Sequence, residues 1–310
     1  MGKAFLDNMT NNISKVIVGK EETITFLLTA MIAGGHVLLE DVPGTGKTKL
    51  AKSLSKSMNL EFNRIQFTPD LLPTDIVGLN VYNRASEKFE LHKGPVFTNI
   101  LLADEINRAT PRTQSGLLEC MEERQVTIDG TTLKLDNPFF VIATENPIDT
   151  TGTFALPQAQ MDRFMMRLSM GLPSKDQEIN ILKRYSMKDA LGDISAVLSA
   201  DDFANAVDKA NEVKVSDAVY EYIASIVEAT RHDNSILAPV SPRGSLALLH
   251  ASKAYAYLAG RDYVIPDDVK KLAVPVLAHR IMTGANSVAA QEETMAKLVG
   301  TVTVPTEDFR

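Results

Sequence analysis

Short apolar runs alternate with helical patterns along the first half of the chain. The runs VLL, ILLA and FFVIA, which begin at Val37, Ile100 and Phe139, are continuous, and helical stretches separate them. Continuous apolar strands between helices are typical of a parallel sheet that is buried on both faces. The pattern from about Ile24 to Leu172 therefore predicts an α/β fold, a parallel sheet with helices on both faces.

The pattern changes after GLPS at residues 171–174, which has the composition of a linker. Beyond it, the periodic stretches all have helical spacing. The predicted helices cover residues 176–186, 201–213, 216–231, 241–260 and 266–281. The sequence thus predicts two domains, an α/β core over residues 1–172 and a small all-helical domain over residues 173–310.

Two segments inside the predicted core have the pattern of β-hairpins. Residues 78–97 read GLNVYNRASEKFELHKGPVF, in which two strand-like segments flank the turn-like RASE. In residues 123–140, ERQVTIDGTTLKLDNPFF, apolar positions alternate around Asp129 and Gly130, a pair that favours tight hairpin turns. Both segments are therefore predicted to be insertions that form hairpins.

A glycine-rich loop follows the first apolar run, in VLLEDVPGTGKT at residues 37–48. Glycine has no Cβ, so backbone amides can approach phosphate oxygens closely, and the helix that starts near Lys47 adds its positive end. Lys47 would reach the β- and γ-phosphates, and Thr48 would bind Mg²⁺. Asp41 replaces the first glycine of the usual motif, so we expect Pro43 and Gly44 to support the turn. The predicted nucleotide-binding residues of this loop are Pro43, Gly44, Thr45, Gly46, Lys47, Thr48 and Lys49.

Two carboxylates end the next long apolar run, NILLADE at residues 99–105. Mg²⁺ in nucleotide sites is held by one or two carboxylates together with phosphates and waters, which suits Asp104. Glu105 is then free to orient and polarise the attacking water. The alternative, a solvated acidic turn, is disfavoured because a phosphate loop precedes the pair.

Two more polar residues stand where hydrolysis would need them. Asn146 follows a strand-like run and could hold the attacking water, although an asparagine before proline is also a common turn former. Arg163, in MDRF, could stabilise transition-state charge at a neighbouring subunit's γ-phosphate. It could instead form a salt bridge with Asp162 or be a solvated surface arginine. The residues alone leave these alternatives open.

The composition of the chain mainly excludes classes of function and of binding site. The chain has 310 residues, a formal net charge of -7 and a pI near 5.4, so it shows no bulk attraction to nucleic acid or anionic lipid. Its single cysteine, Cys120, lies in an apolar pattern, and its five histidines lack metal-ligand spacing. No apolar run approaches membrane length and no secretory signal is visible, so we expect a cytoplasmic protein without a membrane span.

The motifs VLLEDVPGTGKT, LLADEINRATPRTQSGLLECMEE, ATENP, LPQAQMDRF and SPRG, in this order, resemble those of MoxR-type AAA+ ATPases over nearly the whole chain. The resemblance implies a P-loop AAA+ core followed by a helical lid domain. Members of that family carry aspartate or glycine at the position of Asp41. The implied roles are Walker A for Lys47 and Thr48, Walker B for Asp104 and Glu105, sensor 1 for Asn146, arginine finger for Arg163, sensor 2 for Arg243, and adenine contacts for Val18 and Gly19.

Arg243 lies in SPRG, between Pro242 at a predicted helix start and Gly244. We expect these neighbours to let the segment approach a phosphate closely, where the guanidinium would sense the β- and γ-phosphates. Whether Arg243 reaches its own subunit's nucleotide or a neighbour's is open. Further candidates for contacts across a subunit boundary, or for ordinary ion pairs, are Arg108, Arg112 and Arg124.

The resemblance implies an ATP hydrolase that uses Mg²⁺ and works as a homo-oligomeric ring, expected to be a hexamer. It also implies a chaperone-like role in remodelling or maturing protein complexes, with a partner that carries a von Willebrand factor A domain. In related ATPases such hairpins project toward the central channel, so the two predicted here either contact clients or only stiffen the subunit. Two other functions remain as alternatives. A nucleic-acid motor would need a basic channel, and a nucleotide-gated binding module with little turnover is disfavoured by Glu105.

Overall fold

The computed structural model describes residues 1–147, 152–186, 190–285 and 287–306. A five-stranded parallel sheet, flanked by helices, forms the centre of the first part of the chain. The elements of this part are, in order, α1 (Gly2–Ile13), α2 (Glu21–Ile32), β1 (Val37–Glu40), α3 (Lys47–Ser57), β2 (Phe62–Gln66), α4 (Pro73–Val77), β3 (Gly78–Asn83), β4 (Lys88–Lys93), β5 (Ile100–Asp104), α5 (Pro111–Glu123), β6 (Gln125–Ile128), β7 (Thr131–Lys134), β8 (Phe140–Glu145), α6 (Gln158–Met161) and β9 (Met166–Leu168).

The strand order of the sheet is β2-β5-β8-β1-β9, and every neighbouring pair is parallel. In the centre, Val37 of β1 lies opposite Ile142 of β8 and Met166 of β9. The carboxyl ends of β1, β5 and β8 therefore meet at one edge of the sheet. This edge is where parallel α/β sheets commonly bind ligands.

Helices cover both faces of the sheet, as predicted. Val37 and Leu39 pack in the core that includes α1, α2 and α3, whereas Leu38 packs in the core that includes α5. Alternate residues of one strand are thus buried on opposite faces. This two-sided burial explains why the strand sequences are continuously apolar.

The second part of the chain is mainly helical, as predicted. Its elements are α7 (Lys175–Tyr185), α8 (Ala200–Asn211), α9 (Asp217–His232), β10 (Ile236–Ala238), α10 (Pro242–Leu258), α11 (Pro266–Leu277), β11 (Met282–Thr283) and α12 (Val288–Thr301). The antiparallel pair of β10 and β11, with Ile236 opposite Thr283, was not predicted. Strands of two or three residues are too short to show an alternating pattern. Within the described ranges, no helix has the length and apolar character needed to cross a bilayer.

The two N-terminal helices link the sheet to the second part of the chain. Helix α1 packs against α3 and α10, and α2 packs against α8 and α10. The approach is close at Gly2, where a Cβ would lie 1.9 Å from the carbonyl oxygen of Tyr257. The division at residues 172 and 173 stays a prediction, and α7 begins just after it, at Lys175.

Both predicted hairpins are present. Strand β3 pairs antiparallel with β4, and β6 pairs antiparallel with β7 around Asp129 and Gly130. The side-chain amide of Asn80 donates a 2.9 Å hydrogen bond to Asp129 Oδ2 and joins the two hairpins. The aromatic rings of Tyr82 and Phe89 lie on the first hairpin, 50% and 72% exposed.

Candidate active site

The loop between β1 and α3 has the backbone of a phosphate cradle. Gly44 and Gly46 have φ values of 87° and 94°, in the left-handed region that side chains with a Cβ rarely adopt. Gly46 is the N-cap of α3, so the positive end of the helix points into the loop. The Lys47 ammonium donates a 2.8 Å hydrogen bond to the carbonyl oxygen of Asp41, and burial lowers its pKa.

The carboxylate of Asp41 points away from the phosphate cradle and supports it from behind. It accepts hydrogen bonds from the Ser169 hydroxyl at 2.7 Å and from the backbone amides of Met170 and Gly171 at 2.7 and 2.9 Å. Asp41 is only 5% exposed. The aspartate at the first glycine position therefore ties the loop to the segment that leads from β9 into α7, a role that the sequence motif did not reveal.

Asp104 is the last residue of β5 and Glu105 follows it, and their predicted roles stay predictions. One oxygen of Asp104 accepts a 2.6 Å hydrogen bond from the Thr144 hydroxyl. The other accepts a 2.6 Å hydrogen bond from Arg64 on β2. Thr144 in turn accepts a 2.8 Å hydrogen bond from the Glu105 amide, so this one hydroxyl fixes both acidic residues.

The backbone of Glu105 adopts an unusual conformation. Its φ is 57°, a left-handed conformation that costs free energy in a residue with a Cβ. Its Oε2 atom accepts a 2.9 Å hydrogen bond from Gln66 and lies 2.9 Å from Nε of Arg108. Such strain is often found where a side chain must be presented to a ligand.

Sequence reasoning missed Arg64, Gln66 and the role of Thr144. A signal was present, because Arg64 and Gln66 are polar residues two positions apart near the end of a short strand. That spacing places both side chains on one face. Their target became visible only when β2 was found beside β5.

A cavity of about 970 Å³ lies over the phosphate loop. Asp104, Glu105 and Asn146 line its polar side, where Asn146 is 9% exposed. Its apolar side is formed by the segment before α2 and by α7, and it includes Val16, Ile17, Val18, Met170, Ile181, Leu182 and Tyr185. The size and the two-sided lining fit a nucleotide, with the base against the apolar residues and the phosphates against the loop.

Helix α7 closes the apolar side of this cavity. The Tyr185 hydroxyl donates a 3.2 Å hydrogen bond to the Val16 carbonyl oxygen, and the Lys49 ammonium lies 3.6 Å above the centre of the Tyr185 ring. Gly19 sits beside Val18 with a φ of 67°, and its carbonyl oxygen accepts a 3.4 Å hydrogen bond from the Gln177 side chain. The predicted adenine segment therefore packs directly on the first helix of the second part.

A buried polar cluster lies behind Asn146. Glu145 and Glu40 end neighbouring strands, and burial, reinforced by the charge of Glu40, raises the pKa of Glu145 to about 7. Arg167 lies 3.8 Å from Glu40 and donates a 2.8 Å hydrogen bond to Gln291 on α12. The cluster connects the carboxyl edge of the sheet to α12.

Arg163 and Arg243 lie together on another surface of the subunit. Arg163 donates a 2.9 Å hydrogen bond to the Leu118 carbonyl oxygen and lies 3.1 Å from Oε2 of Glu122. Arg243 pairs with Oε1 of the same glutamate. Among the described residues that line the nucleotide cavity, neither arginine is present. The structure thus brings the two arginines to each other, at the end of α5, and keeps them apart from the phosphate loop of their own subunit.

The surroundings of Gly244 differ from the expectation for SPRG. Gly244 is buried, and a Cβ there would lie 2.4 Å from Val240 Cγ1 and 3.0 Å from Arg280 Cδ. The close approach that this glycine permits is therefore to the interior of the second part of the chain. Arg243, next to it, remains at the surface, with 46% of its side chain exposed.

Two of the other candidate arginines make contacts within the subunit. Arg124 donates hydrogen bonds to the carbonyl oxygens of Phe139 and Gly34, and Arg108 pairs with Glu105. Arg124 therefore joins the end of α5 to the loops beside β1 and β8. The sequence had left open whether these arginines contact a neighbouring subunit or their own, and the contacts described for Arg108 and Arg124 lie within the subunit.

Two family models match the chain. The model described as "ATPase family associated with various cellular activities (AAA)" matches residues 36–166, and the model described as "AAA lid domain" matches residues 228–299. The first match contains the phosphate loop, both acidic residues and Arg163. The second contains Arg243.

Several proteins are similar over most of their length. The chain is 48% identical over 277 residues to the uncharacterised protein YeaC of Bacillus subtilis, covering 89% of this chain and 87% of that one. It is 38% identical over 312 residues to Chaperone MoxR1 of Mycobacterium tuberculosis, covering 97% and 82%. It is 30% identical over 298 residues to Protein MoxR of Paracoccus denitrificans, covering 87% and 86%. A crystal structure of a candidate ATPase from Cytophaga hutchinsonii matches with a TM-score of 0.90 at 38% identity, over 98% of this chain and 96% of that one.

Proposed function

Because this chain belongs to the MoxR family of AAA+ ATPases, we propose that it hydrolyses ATP to ADP and phosphate in a ring, a hexamer, of identical subunits. One observation carries the proposal. The nucleotide cavity holds the phosphate loop, Asp104, Glu105 and Asn146, whereas Arg163 and Arg243 lie together on a separate surface. An active site divided in this way is complete only when the arginine surface of one subunit meets the cavity of the next.

The cavity residues fit Mg²⁺ and ATP. Asp104 presents a carboxylate that is 14% exposed at the cavity wall, and Thr48 lines the same cavity beside Lys47. Hard oxygen ligands of this kind suit Mg²⁺, so Thr48 and Asp104 would hold it. When bound there, the ion would neutralise charge on the phosphates. Arg64, which occupies Asp104 in this structure, would give up that hydrogen bond.

The acidic and amide side chains then act on the attacking water. Glu105 accepts a proton from the water while the water oxygen bonds to the γ-phosphorus and the bond to the ADP oxygen breaks. Asn146 orients the water. Gln66 and Arg108 keep the Glu105 carboxylate in position. Arg163 and Arg243 of the adjacent subunit stabilise the negative charge that develops on the phosphoryl oxygens.

ATP hydrolysis measured against protein concentration tests this proposal, with light scattering to follow size. We expect wild-type turnover to rise as rings form. Glu105→Gln should bind ATP without hydrolysing it, and Arg163→Ala should lose turnover by about 10³-fold. Turnover that is independent of concentration and insensitive to Arg163→Ala would contradict the shared active site.

We further propose that the ring acts on other proteins, as a chaperone that remodels or matures complexes in the cytoplasm. The name Chaperone MoxR1 of a relative supports this role, and the family resemblance supports a partner with a von Willebrand factor A domain. The exposed rings of Tyr82 and Phe89 are candidate contacts for such proteins. Affinity capture on ATP-bound Glu105→Gln rings, compared with the nucleotide-free variant, would identify partners. Capture of nothing beyond the nucleotide-free sample would count against the chaperone role.

A further inference from the structure

Glu122 is the carboxylate that pairs with both Arg163 and Arg243. Its Oε2 atom lies 3.1 Å from Nη1 of Arg163, and its Oε1 atom pairs with Nη2 of Arg243. The three residues come from distant parts of the chain, since Glu122 and Arg243 are 121 positions apart. Two guanidinium groups thus share one carboxylate as their ion-pair partner.

The backbone around this group is firmly held. At the end of α5, the Met121 carbonyl oxygen accepts a 3.0 Å hydrogen bond from the buried ring of His36. Asp162, next to Arg163, pairs with the buried guanidinium of Arg280. Asp162 also accepts a 3.1 Å hydrogen bond from Ser241, the N-cap of α10. None of these contacts involves the side chains of Glu122, Arg163 or Arg243, so a change of partner at Glu122 can leave them in place.

The two ion pairs are exposed enough to exchange. The side chains of Glu122, Arg163 and Arg243 are 35%, 32% and 46% exposed. Pairs of this exposure contribute little free energy, because water screens them and holding long side chains costs entropy. A nucleotide phosphate carries more negative charge than one carboxylate and can accept hydrogen bonds from both arginines.

We propose that Glu122 is a positioning residue that holds Arg163 and Arg243 in the unassembled subunit and releases them to the γ-phosphate of the adjacent subunit. The proposal rests on the proposed function. Glu122 keeps the two like charges side by side in the unassembled subunit. The same contact opposes ring formation, because both ion pairs must break before the arginines bind the phosphate.

Ring assembly measured in the Glu105→Gln background, where ATP is bound and not consumed, tests this inference. Light scattering against protein concentration gives the midpoint of assembly. We expect Glu122→Gln to lower that midpoint about threefold to tenfold, the range that follows from losing two exposed ion pairs. Glu123→Gln is the matched control, since it removes the same charge from the same helix turn. It should leave the midpoint unchanged.

The shift of the assembly midpoint caused by Glu122→Gln must depend on Arg163 and Arg243. In a background that also carries Arg163→Ala and Arg243→Ala, we expect Glu122→Gln to leave the midpoint unchanged. A shift that persists there would show a general effect of charge on the surface and would overturn the proposal. An unchanged or higher midpoint for Glu122→Gln with both arginines present would overturn it as well.

Turnover separates this inference from the proposed function. With Glu105 intact, Glu122→Gln should reach wild-type turnover at saturating protein concentration and show its gain only at low concentration. Loss of turnover at saturation would mean that Glu122 acts in the assembled site, which contradicts release. If the wild type itself shows no dependence on concentration and none on Arg163, the proposed function fails and the inference fails with it.

Discussion

Asp41 stands where phosphate loops commonly carry glycine, and its carboxylate accepts three hydrogen bonds from Ser169, Met170 and Gly171. Two of the donors are backbone amides that lead directly into α7. A buried amide that loses its acceptor carries a desolvation cost. The side chain therefore couples the phosphate loop to the helix that closes the apolar side of the nucleotide cavity.

Replacing Asp41 by glycine would restore the common motif and should still destabilise the protein. We expect Asp41→Gly to lower the free energy of unfolding by about 1 to 3 kcal/mol, because it leaves the buried amide of Met170 without its acceptor. The Gly171 amide keeps a 3.1 Å hydrogen bond to Ser169 Oγ. Urea denaturation followed by circular dichroism measures this. Ser169→Ala removes one of the three donors and should cost about 1 kcal/mol. A stability of Asp41→Gly equal to that of the wild type would show that the contact is unimportant.

His36 is neutral in the fold, and its environment makes stability depend on pH. Its Nδ1 atom accepts a 3.0 Å hydrogen bond from the Val141 amide, so Nε2 carries the proton and donates to Met121. Burial, with the nearby charge of Arg124, lowers the pKa of His36 from 6.5 to about 3. Below pH 6.5 the unfolded chain binds a proton that the folded chain does not. The free energy of unfolding therefore falls with a slope of up to roughly 1.4 kcal/mol per pH unit until about pH 3.

Comparing His36→Gln with the wild type isolates the contribution of His36 to the pH dependence of the free energy of unfolding. Glutamine keeps one acceptor and one donor but does not titrate. We expect the difference in free energy of unfolding between variant and wild type to change in the variant's favour as the pH falls from 6.5 to 4. Parallel pH curves for His36→Gln and the wild type would rule out the assignment.

At the scale of elements, the start of α10 and the end of α6 form one unit. Arg280 donates hydrogen bonds to the carbonyl oxygens of Asp162 and Phe164, on both sides of Arg163. The buried Gly244 lets α10 pack directly against Val240 and Arg280. Arg163 and Arg243 therefore keep a fixed relation because the elements that carry them are locked together.

Gly244→Ala tests the closeness of this packing. The added Cβ would lie 2.4 Å from Val240 Cγ1, so α10 or its neighbours must shift, and we expect a loss of about 1 to 3 kcal/mol. Turnover should fall as well, since Arg243 would move with the helix. Gly300→Ala is the matched control, because a Cβ at that position in α12 meets nothing within 4 Å. It should stabilise the protein by about 0.5 to 1 kcal/mol. Equal stability of the two variants would refute the packing argument.

At the scale of the whole molecule, the proposed function assigns each subunit two halves of different sites. The cavity half contains the phosphate loop, Asp104 and Glu105, and the other half contains Arg163 and Arg243. Two different surfaces that complete each other produce head-to-tail contacts, which close into a ring when the rotation between subunits allows it. The separation of the two surfaces, on which the proposed division rests, is a property of the folded subunit.

Mixing two inactive variants tests directly whether the active site is divided between adjacent subunits. Glu105→Gln subunits lack the catalytic carboxylate but offer Arg163, whereas Arg163→Ala subunits have an intact cavity. In an equal random mixture, about one quarter of the boundaries join an intact cavity to an intact arginine, so we expect about one quarter of wild-type turnover. Mixing Glu105→Gln with a Glu105→Gln, Arg163→Ala double variant is the control and should stay inactive. Absence of any recovery in the first mixture would argue for arginines that act within their own subunit.

The sequence by itself determined the elements and the chemistry that depend on neighbours along the chain. Backbone geometry sets a period of two or 3.6 residues, so the hairpin strands and the change from α/β to helical patterning are local features. The phosphate loop and the acidic pair after β5 are local because each is a short motif of neighbouring residues. Turn residues such as Asp129 and Gly130 act over a few positions. These features could be predicted because the energies that favour them come from residues close together in sequence.

Only the tertiary structure decided which distant side chains meet. Arg64 reaches Asp104 because β2 lies beside β5, and Thr144 reaches it because β8 lies on the other side. Glu122 meets Arg243 across 121 positions because α10 packs near the end of α5. No spacing in the sequence encodes such pairs, since they depend on strand order and on the packing of both cores. Short local motifs therefore predicted the phosphate loop and its acids, and the packed fold alone placed the arginines on a separate surface, paired with Glu122.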